Sequence, residues 1–183
     1  GGRAQPGAGR GRGGGMGGAT GRLWVGRGLR QAPAPGWSAR TDPGQLRDWA
    51  PFDSDRNLGS GGPATLTTVG APIAHVTASE VKRADAPKVL ELNWGGQNIR
   101  WELKPLGSGT RLTLWHNINR GFIAMGAAGW HICLDVLDHA LAGDPLGRIV
   151  GMDAMHFDWQ RLNVEYSKQF GVEPRVPPGS PEN

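Results

Sequence analysis

The chain has 183 residues, which suits one well-packed domain, and it contains no run of about 18 apolar residues that could span a membrane. Its formal charge is +4, but seven of its 20 basic residues lie in residues 1–40, where there is no acidic residue. The rest carries 13 basic and 16 acidic side chains, so a nucleic-acid partner is not expected for the folded part.

Residues 1–21 are predicted to form a disordered tail, because their eleven glycines offer little apolar surface to bury. Their Arg-Gly run resembles an RNA-binding tract but lacks the aromatic residues that stack on bases. Met16 is the first methionine, and arginine outnumbers lysine 16 to 4, as in GC-rich coding DNA. One hypothesis is therefore that residues 1–15 are translated upstream sequence.

A first strand is expected around Leu23, Val25 and Leu29, followed by two short helices in 33–49. Pro43 suits the first position of the second helix, with Thr41 or Asp42 as its N-cap. Further strands are predicted at 64–69, 74–83, 88–94, 98–104 and 110–118. In the last pair, alternation places these residues on one face: Ile99, Trp101, Leu103, Leu112, Leu114, His116 and Ile118.

Residues 121–142 have helical periodicity, with a broad apolar stripe centred on Trp130. The small side chains in its N-terminal half would let the backbone lie close to a sheet or leave a cavity. A second apolar flank, formed by Met125, Ile132 and Val136, requires another partner. A trailing helix at 152–169 is expected to contact this helix through its own stripe, which consists of Met155, Trp159, Leu162, Tyr166 and Phe170. The proline-rich residues 171–183 are predicted to be disordered.

Several motifs resemble those of the START/Bet-v-like (SRPBCC) superfamily, and within it the family of activators of the heat-shock-protein-90 ATPase. Thr41-Asp42-Pro43 with Leu46 and Trp49 resembles the helix-pair signature, and Glu80, Pro87, Leu90 and Trp94 fit the middle strands. The segment 110–114 with His116 resembles the next motif. Gly129-Trp130 with Leu134, Leu137 and Leu141 resembles the GWxxxLxxLxxxL helix of this family.

The resemblance implies an α+β helix-grip fold over residues 22–170, in which a curved antiparallel sheet grips a long helix around a cavity. It implies a small hydrophobic ligand in that cavity, or association with a chaperone, and no catalytic activity. A cyclase- or hydrolase-like enzyme using the same cavity is the alternative. The candidate cavity residues are Trp49, Trp101, Leu103, Leu114, His116, Ile123, Ala127 and Trp130.

The chain departs from the family pattern at the first helix, residues 33–40. Pro33, Pro35 and Gly36 disfavour a helix there, and Arg40 stands where the family has an apolar residue. We therefore expect this helix, and the cavity wall that it would form, to be weakened.

Other polar groups support no catalytic site, metal site or cofactor. His131, Asp135 and His139 share a helix face opposite Trp130 and are interpreted as a solvated polar stripe. Trp94, Trp101 and Trp115 are expected to alternate between the two sheet faces, which does not favour a base-stacking platform. Cys133, the single cysteine, is expected to be a buried thiol in a reducing compartment, so a cytoplasmic location is expected. His116 points inward and is either a hydrogen-bonded core histidine or a ligand contact.

Overall fold

A computed structural model describes residues 15–17, 22–70, 75–150, 152–155 and 158–174 of the chain. Within these ranges, eight antiparallel strands form one curved sheet in the spatial order β1-β2-β8-β7-β6-β5-β4-β3. The strands are β1 (Gly15–Gly17), β2 (Arg22–Leu29), β3 (Phe52–Ser54), β4 (Gly62–Thr68), β5 (His75–Asp85), β6 (Val89–Trp94), β7 (Gln97–Leu106) and β8 (Gly109–Asn117). β2 pairs with β8, so the strand that precedes the helix Pro33–Thr41 lies in the sheet beside the strand that precedes the helix Ile123–Leu141.

The strand prediction is confirmed for β2 and for β4 to β8, and the alternation along β7 and β8 gives the predicted inward face. Ile99, Trp101 and Leu103 are at most 2% exposed, and so are Leu112, Leu114 and His116. Two edge strands were not predicted. β3 has only three residues, too few for a period-two pattern, and β1 lies inside the segment 1–21 that was expected to be disordered. Backbone pairing of β1 with β2 needs no apolar side chains, which is why composition did not reveal it. The remaining residues of that tail lie outside the described ranges.

Two helices, α1 (Pro33–Thr41) and α2 (Pro43–Leu46), connect β2 to β3. The helix forms over 33–40 despite Pro33, Pro35 and Gly36, for a positional reason. Pro33 is the first helical residue and Pro35 the third, so neither ring removes a hydrogen bond that the helix would otherwise make. Asp42 caps α2 by accepting a hydrogen bond from the Gly44 amide at 3.1 Å, as predicted.

The long helix α3 (Ile123–Leu141) follows a 3-10 turn (Arg120–Phe122) and lies against the inner face of the sheet. Its N-terminal half lies close to β2 and to Ile118, the residue that follows β8. A Cβ atom added at Gly126 would lie 2.6 Å from Ile118 Cδ1 and 3.8 Å from Leu23 Cδ2. Of the two outcomes predicted for these small residues, the structure shows close approach to the sheet.

The trailing segment forms two helices, α4 (Met152–Met155) and α5 (Trp159–Phe170), where one helix at 152–169 was predicted. Asp158, the residue before α5, has a left-handed backbone conformation with φ of 69°, so a continuous right-handed helix cannot pass through it into α5. The prediction that α5 contacts α3 is confirmed, because Trp159 is buried and Tyr166 hydrogen-bonds His131 of α3. Ile132 and Val136 are also buried. The side chain of Met155 and residues 175–183 of the predicted tail lie outside the description.

One hydrophobic core runs from Leu23 of β2 to Phe170 of α5, so the described elements from β2 onward pack together. Within the described residues, no helix has both the length and the apolar character needed to cross a membrane.

Candidate ligand-binding site

A group of aromatic rings lies in the interior between the sheet, α3 and the α1–α2 segment. We call it the aromatic cluster, and its members are Trp49, Phe52, Trp94, Trp101, His116 and Trp130. Trp101 lies at its centre, with ring centroids 5.9 Å from Trp49 and 5.4 Å from Trp130, both edge to face. Trp94 continues the cluster at 6.1 Å from Trp130 and 5.1 Å from Phe52. Such edge-to-face pairs contribute about 0.5–1.5 kcal/mol each beyond their buried area, so the cluster is a stable apolar surface.

Three indole N–H groups of the aromatic cluster have protein acceptors. Trp49 Nε1 donates to the carbonyl of Ala39 at 2.9 Å, and Trp94 Nε1 donates to Thr68 Oγ1 at 2.8 Å. Trp130 Nε1 donates to His116 Nδ1 at 3.0 Å. These hydrogen bonds fix the orientations of the three rings.

His116 is fixed in one tautomer by its two neighbours. Because an indole N–H can only donate, His116 Nδ1 must accept from Trp130, which places the ring proton on Nε2. His116 Nε2 lies 2.7 Å from Gln97 Oε1 and donates to it. Burial lowers the pKa of His116 from 6.5 to about 4, so the imidazole is neutral at physiological pH. Of the two predictions for His116, the structure favours the hydrogen-bonded core histidine.

Arg40, in the last turn of α1, reaches into the same interior. Its guanidinium carbon lies 4.6 Å from the ring centroid of Trp101 and 5.8 Å from that of Trp49, within the range of cation–π attraction. The residue is 1% exposed, and burial lowers the pKa of Arg40 to about 9, so it still carries its charge at pH 7. The position where the family pattern has an apolar residue therefore holds a buried cation.

The Arg40 guanidinium is hydrogen-bonded on one side only. Nη1 donates to the carbonyl of Gly36 at 2.5 Å, whereas Nε and Nη2 are buried without a hydrogen-bond partner in the described structure. Gly36 allows this arrangement, since a Cβ atom there would lie 3.0 Å from Leu103 Cδ2 and 3.2 Å from Arg40 Nη1. The Nε and Nη2 edge is the side of a guanidinium that can bind a carboxylate through two parallel hydrogen bonds.

The structure buries all eight residues predicted to line the cavity, with none more than 3% exposed. It brings Trp49, Trp101, His116 and Trp130 into ring contact within the aromatic cluster. Leu103 approaches Gly36 beside Arg40, and Leu114 pairs with Trp101 across β7 and β8. Ile123 and Ala127 lie in the N-terminal half of α3, which is the half that lies close to the sheet.

The interpretation of His131, Asp135 and His139 as a solvated stripe is wrong for His131. His131 is 2% exposed, and its Nδ1 lies 2.7 Å from Tyr166 Oη because α5 covers this face of α3. Asp135 accepts a hydrogen bond from Arg27 Nη1 of β2 at 2.7 Å. Only His139 is exposed. Within the described residues, no three His, Cys, Asp or Glu side chains lie close enough together to hold a metal ion.

The tryptophans of the sheet lie on both of its faces, as predicted. Trp94 and Trp101 both face inward and contact Trp130, whereas Trp115 lies on the outer face with the Arg22 guanidinium 5.8 Å from its ring centroid. Trp94 pairs with Gln97 across β6 and β7, and this register places its ring on the inner face beside His116. Cys133 is buried as predicted, and burial raises the pKa of its thiol to about 12.

Sequence reasoning missed Arg40, Gln97 and Phe52 as members of the site. Arg40 was noted only as a departure from the family pattern. A charged residue at a position that is apolar in the family indicates that a polar group is needed in the interior. Gln97 faces inward opposite Trp94, and knowledge of the β6–β7 register would have found it. Phe52 lies in the short strand β3, which gives no pattern.

A curved antiparallel sheet gripping a long helix, with two short helices after an early strand, defines a helix-grip fold. The sequence pattern of the family described as "Activator of Hsp90 ATPase homolog 1-like protein" matches residues 33–142, more than half of the chain. The chain belongs to this family, as the motifs indicated. A comparison with curated proteins gives no significant sequence match.

Solved structures resemble the described fold at low sequence identity. A conserved protein of unknown function from Enterococcus faecalis has a TM-score of 0.65 at 17% identity, over 87% of this chain and 92% of the other. A protein from Bordetella parapertussis has a TM-score of 0.64 at 22% identity, over 83% and 87% of the two chains. An AHSA1-like protein from Aeromonas hydrophila has a TM-score of 0.55 at 18% identity, over 68% and 96%. At these identities the likeness concerns the fold alone.

Proposed function

We propose that the protein is a non-catalytic binding protein that holds a small hydrophobic molecule in the interior between its sheet and α3. The observation that carries this proposal is the hydrogen bonding of His116. Both of its ring nitrogens are bonded to protein groups, Nδ1 to Trp130 and Nε2 to Gln97. Around it lie the rings of the aromatic cluster, with the Arg40 guanidinium as the charged group beside them. An apolar surface with few polar anchors is typical of a binding site.

The alternative, a cyclase- or hydrolase-like enzyme in the same interior, needs a group that exchanges protons near neutral pH. His116 has a pKa of about 4, Cys133 about 12 and Arg40 about 9. His116 would also have to break its hydrogen bond to Gln97 before its Nε2 proton could be transferred. These values and contacts favour binding over acid–base catalysis.

The test is a titration of the purified protein with N-phenyl-1-naphthylamine, an uncharged probe that fluoresces when it leaves water. The chain offers a matched pair of variants on neighbouring strands, because Trp101 faces inward and Trp115 outward. We expect one saturable site per chain, with affinity lowered about fivefold or more by Trp101→Phe and unchanged by Trp115→Phe.

Circular dichroism of both variants would show whether each retains the wild-type fold. Absence of saturable binding by the wild-type protein would overturn the proposal, and so would equal effects of the two substitutions. Native mass spectrometry of the protein as purified would then identify any molecule that it retains.

Family membership supports a second candidate, a module associated with a heat-shock-protein-90 chaperone. The measurement is the ATPase rate of purified heat-shock protein 90 with and without this protein, for which this candidate requires a stimulated rate. We also propose a cytoplasmic location, supported by the buried thiol of Cys133. Fractionation of cells that express the tagged native protein would test that location.

A further inference from the structure

We propose that the ligand of the interior site is an apolar acid whose carboxylate binds the Nε and Nη2 edge of Arg40. This inference rests on the proposed binding function and adds the chemical class of the ligand. It is argued from the position of one buried charge, from the edge of the guanidinium that lacks acceptors, and from the rings that surround it.

The first argument is the burial of the charge. Arg40 is 1% exposed, and no carboxylate of the described residues forms an ion pair with it. Transferring a charged group from water to a protein interior is strongly unfavourable unless the charge is paired. Cation–π contacts with Trp101, at 4.6 Å, and Trp49, at 5.8 Å, offset part of this cost. An anion supplied from outside the chain would offset the remainder.

The second argument is the geometry of the guanidinium. Nη1 is occupied by the Gly36 carbonyl, which holds the group in one orientation, while the two adjacent donors Nε and Nη2 lack acceptors. These two N–H groups point in parallel directions and match the two oxygens of a carboxylate. A ketone has only one oxygen, so it cannot form the two parallel hydrogen bonds that a carboxylate forms.

The third argument concerns the body of the ligand. The guanidinium lies between apolar neighbours: the rings of Trp49 and Trp101, and the Leu103 side chain beside Gly36. His116, another polar group of this interior, is neutral, and both of its ring nitrogens already form hydrogen bonds with protein groups. A ligand that fits these surroundings has one anionic group and an apolar or aromatic remainder. A highly charged ligand, such as a nucleotide, does not fit.

The experiment measures how well decanoate and 1-decanol displace N-phenyl-1-naphthylamine from the protein. The two competitors have the same chain length and differ in charge at the end group. We expect the wild-type protein to bind decanoate at least about tenfold more tightly than 1-decanol, because charge-assisted hydrogen bonds are the stronger kind. We expect Arg40→Met, which keeps the length but removes the charge, to abolish this preference while still binding the neutral probe.

Arg40→Lys is the second variant, since it keeps the charge but lacks the paired N–H groups. It should retain less than half of the preference, on a logarithmic scale. Arg47→Met, at an exposed arginine seven residues along the chain, is the matched control and should behave as wild type. If the wild-type protein binds the neutral probe but shows no preference for decanoate, or if Arg40→Met keeps that preference, this inference is wrong. If the neutral probe does not bind at all, the proposed function itself fails.

Discussion

Arg27 and Arg40 are both buried arginines, each at most 2% exposed, but their surroundings differ. Arg27 of β2 lies 2.7 Å from Asp135 Oδ1 and 3.7 Å from Asp138 Oδ2, so its charge is balanced by carboxylates of α3. Arg40 has two ring faces and one backbone carbonyl. Arg27 joins β2 to α3 through these ion pairs and leaves only Nε without a hydrogen-bond partner, whereas Arg40 has no carboxylate partner among the described residues and leaves both Nε and Nη2 without acceptors.

The two sides of α3 repeat this contrast. Where α5 covers α3, His131 contacts Tyr166, and beside it Asp135 contacts Arg27 of β2, so polar groups of different elements pair with one another. On the side facing the sheet, Trp130 and His116 belong to the aromatic cluster, and Arg40 is the charged group near it. Substitutions on the first side should therefore affect stability, and those on the second should affect binding.

The largest expected effect comes from Asp135→Asn, which leaves the buried Arg27 charge with only the more distant Asp138. We expect the free energy of unfolding to fall by about 3 kcal/mol, measured by urea denaturation. Asp144→Asn is the control, because Asp144 pairs with His139 at an exposed site, where ion pairs contribute little. A loss below about 1 kcal/mol for Asp135→Asn would show that the Arg27 pair is not structural.

Acid should destabilise the protein through His116. Its pKa is lowered to about 4 in the folded state, so between pH 6.5 and 4 the unfolded state binds the proton and the folded state does not. Stability is therefore fully present above pH 6.5 and falls with decreasing pH, by about 3 kcal/mol in total from this residue. The measurement is the urea-derived free energy of unfolding from pH 7.5 to 4, compared with His116→Gln. Parallel pH profiles for the two proteins would contradict this assignment.

Arg40→Met should have the opposite sign from Asp135→Asn. Removing an unpaired buried charge while keeping side-chain volume is expected to raise the free energy of unfolding by about 1 kcal/mol, after loss of the cation–π contacts. Thermal and urea denaturation in the absence of ligand would measure this gain. A clear loss of stability would mean that Arg40 supports the fold as Arg27 does.

An effect as small as that of Arg40→Met is expected for Tyr166→Phe, which removes the hydrogen bond between α5 and His131 but keeps the ring stacked on Phe170. We expect the free energy of unfolding to fall by about 1 kcal/mol. The probe affinity should be unchanged, because Tyr166 lies on the opposite side of α3 from the aromatic cluster. A changed affinity would show that the two sides of α3 are coupled.

The inner face of the sheet could be predicted because alternation in β7 and β8 is a local signal. Ile99, Leu112 and His116 are inward for the reason that the sequence pattern indicated. Burial of His131 could not be predicted in this way, since it depends on α5, which is distant in the sequence. The burial of Arg40 could not be predicted from periodicity either, because such an argument treats arginine as a surface residue. Arg40 is buried because Gly36, Trp101 and Trp49, which are separated in the sequence, meet around its guanidinium.

Arg148, in the segment after α3, forms hydrogen bonds with α2 and β3, which lie far from it in the sequence. Its Nη2 donates to the carbonyl of Leu46 at 2.9 Å, to that of Phe52 at 3.3 Å and to Asp53 Oδ1 at 2.6 Å. A local opening that frees β3 must therefore also release the segment that carries Arg148. In hydrogen exchange, the amides of β3 and those around Arg148 should lose protection together, as one cooperative unit.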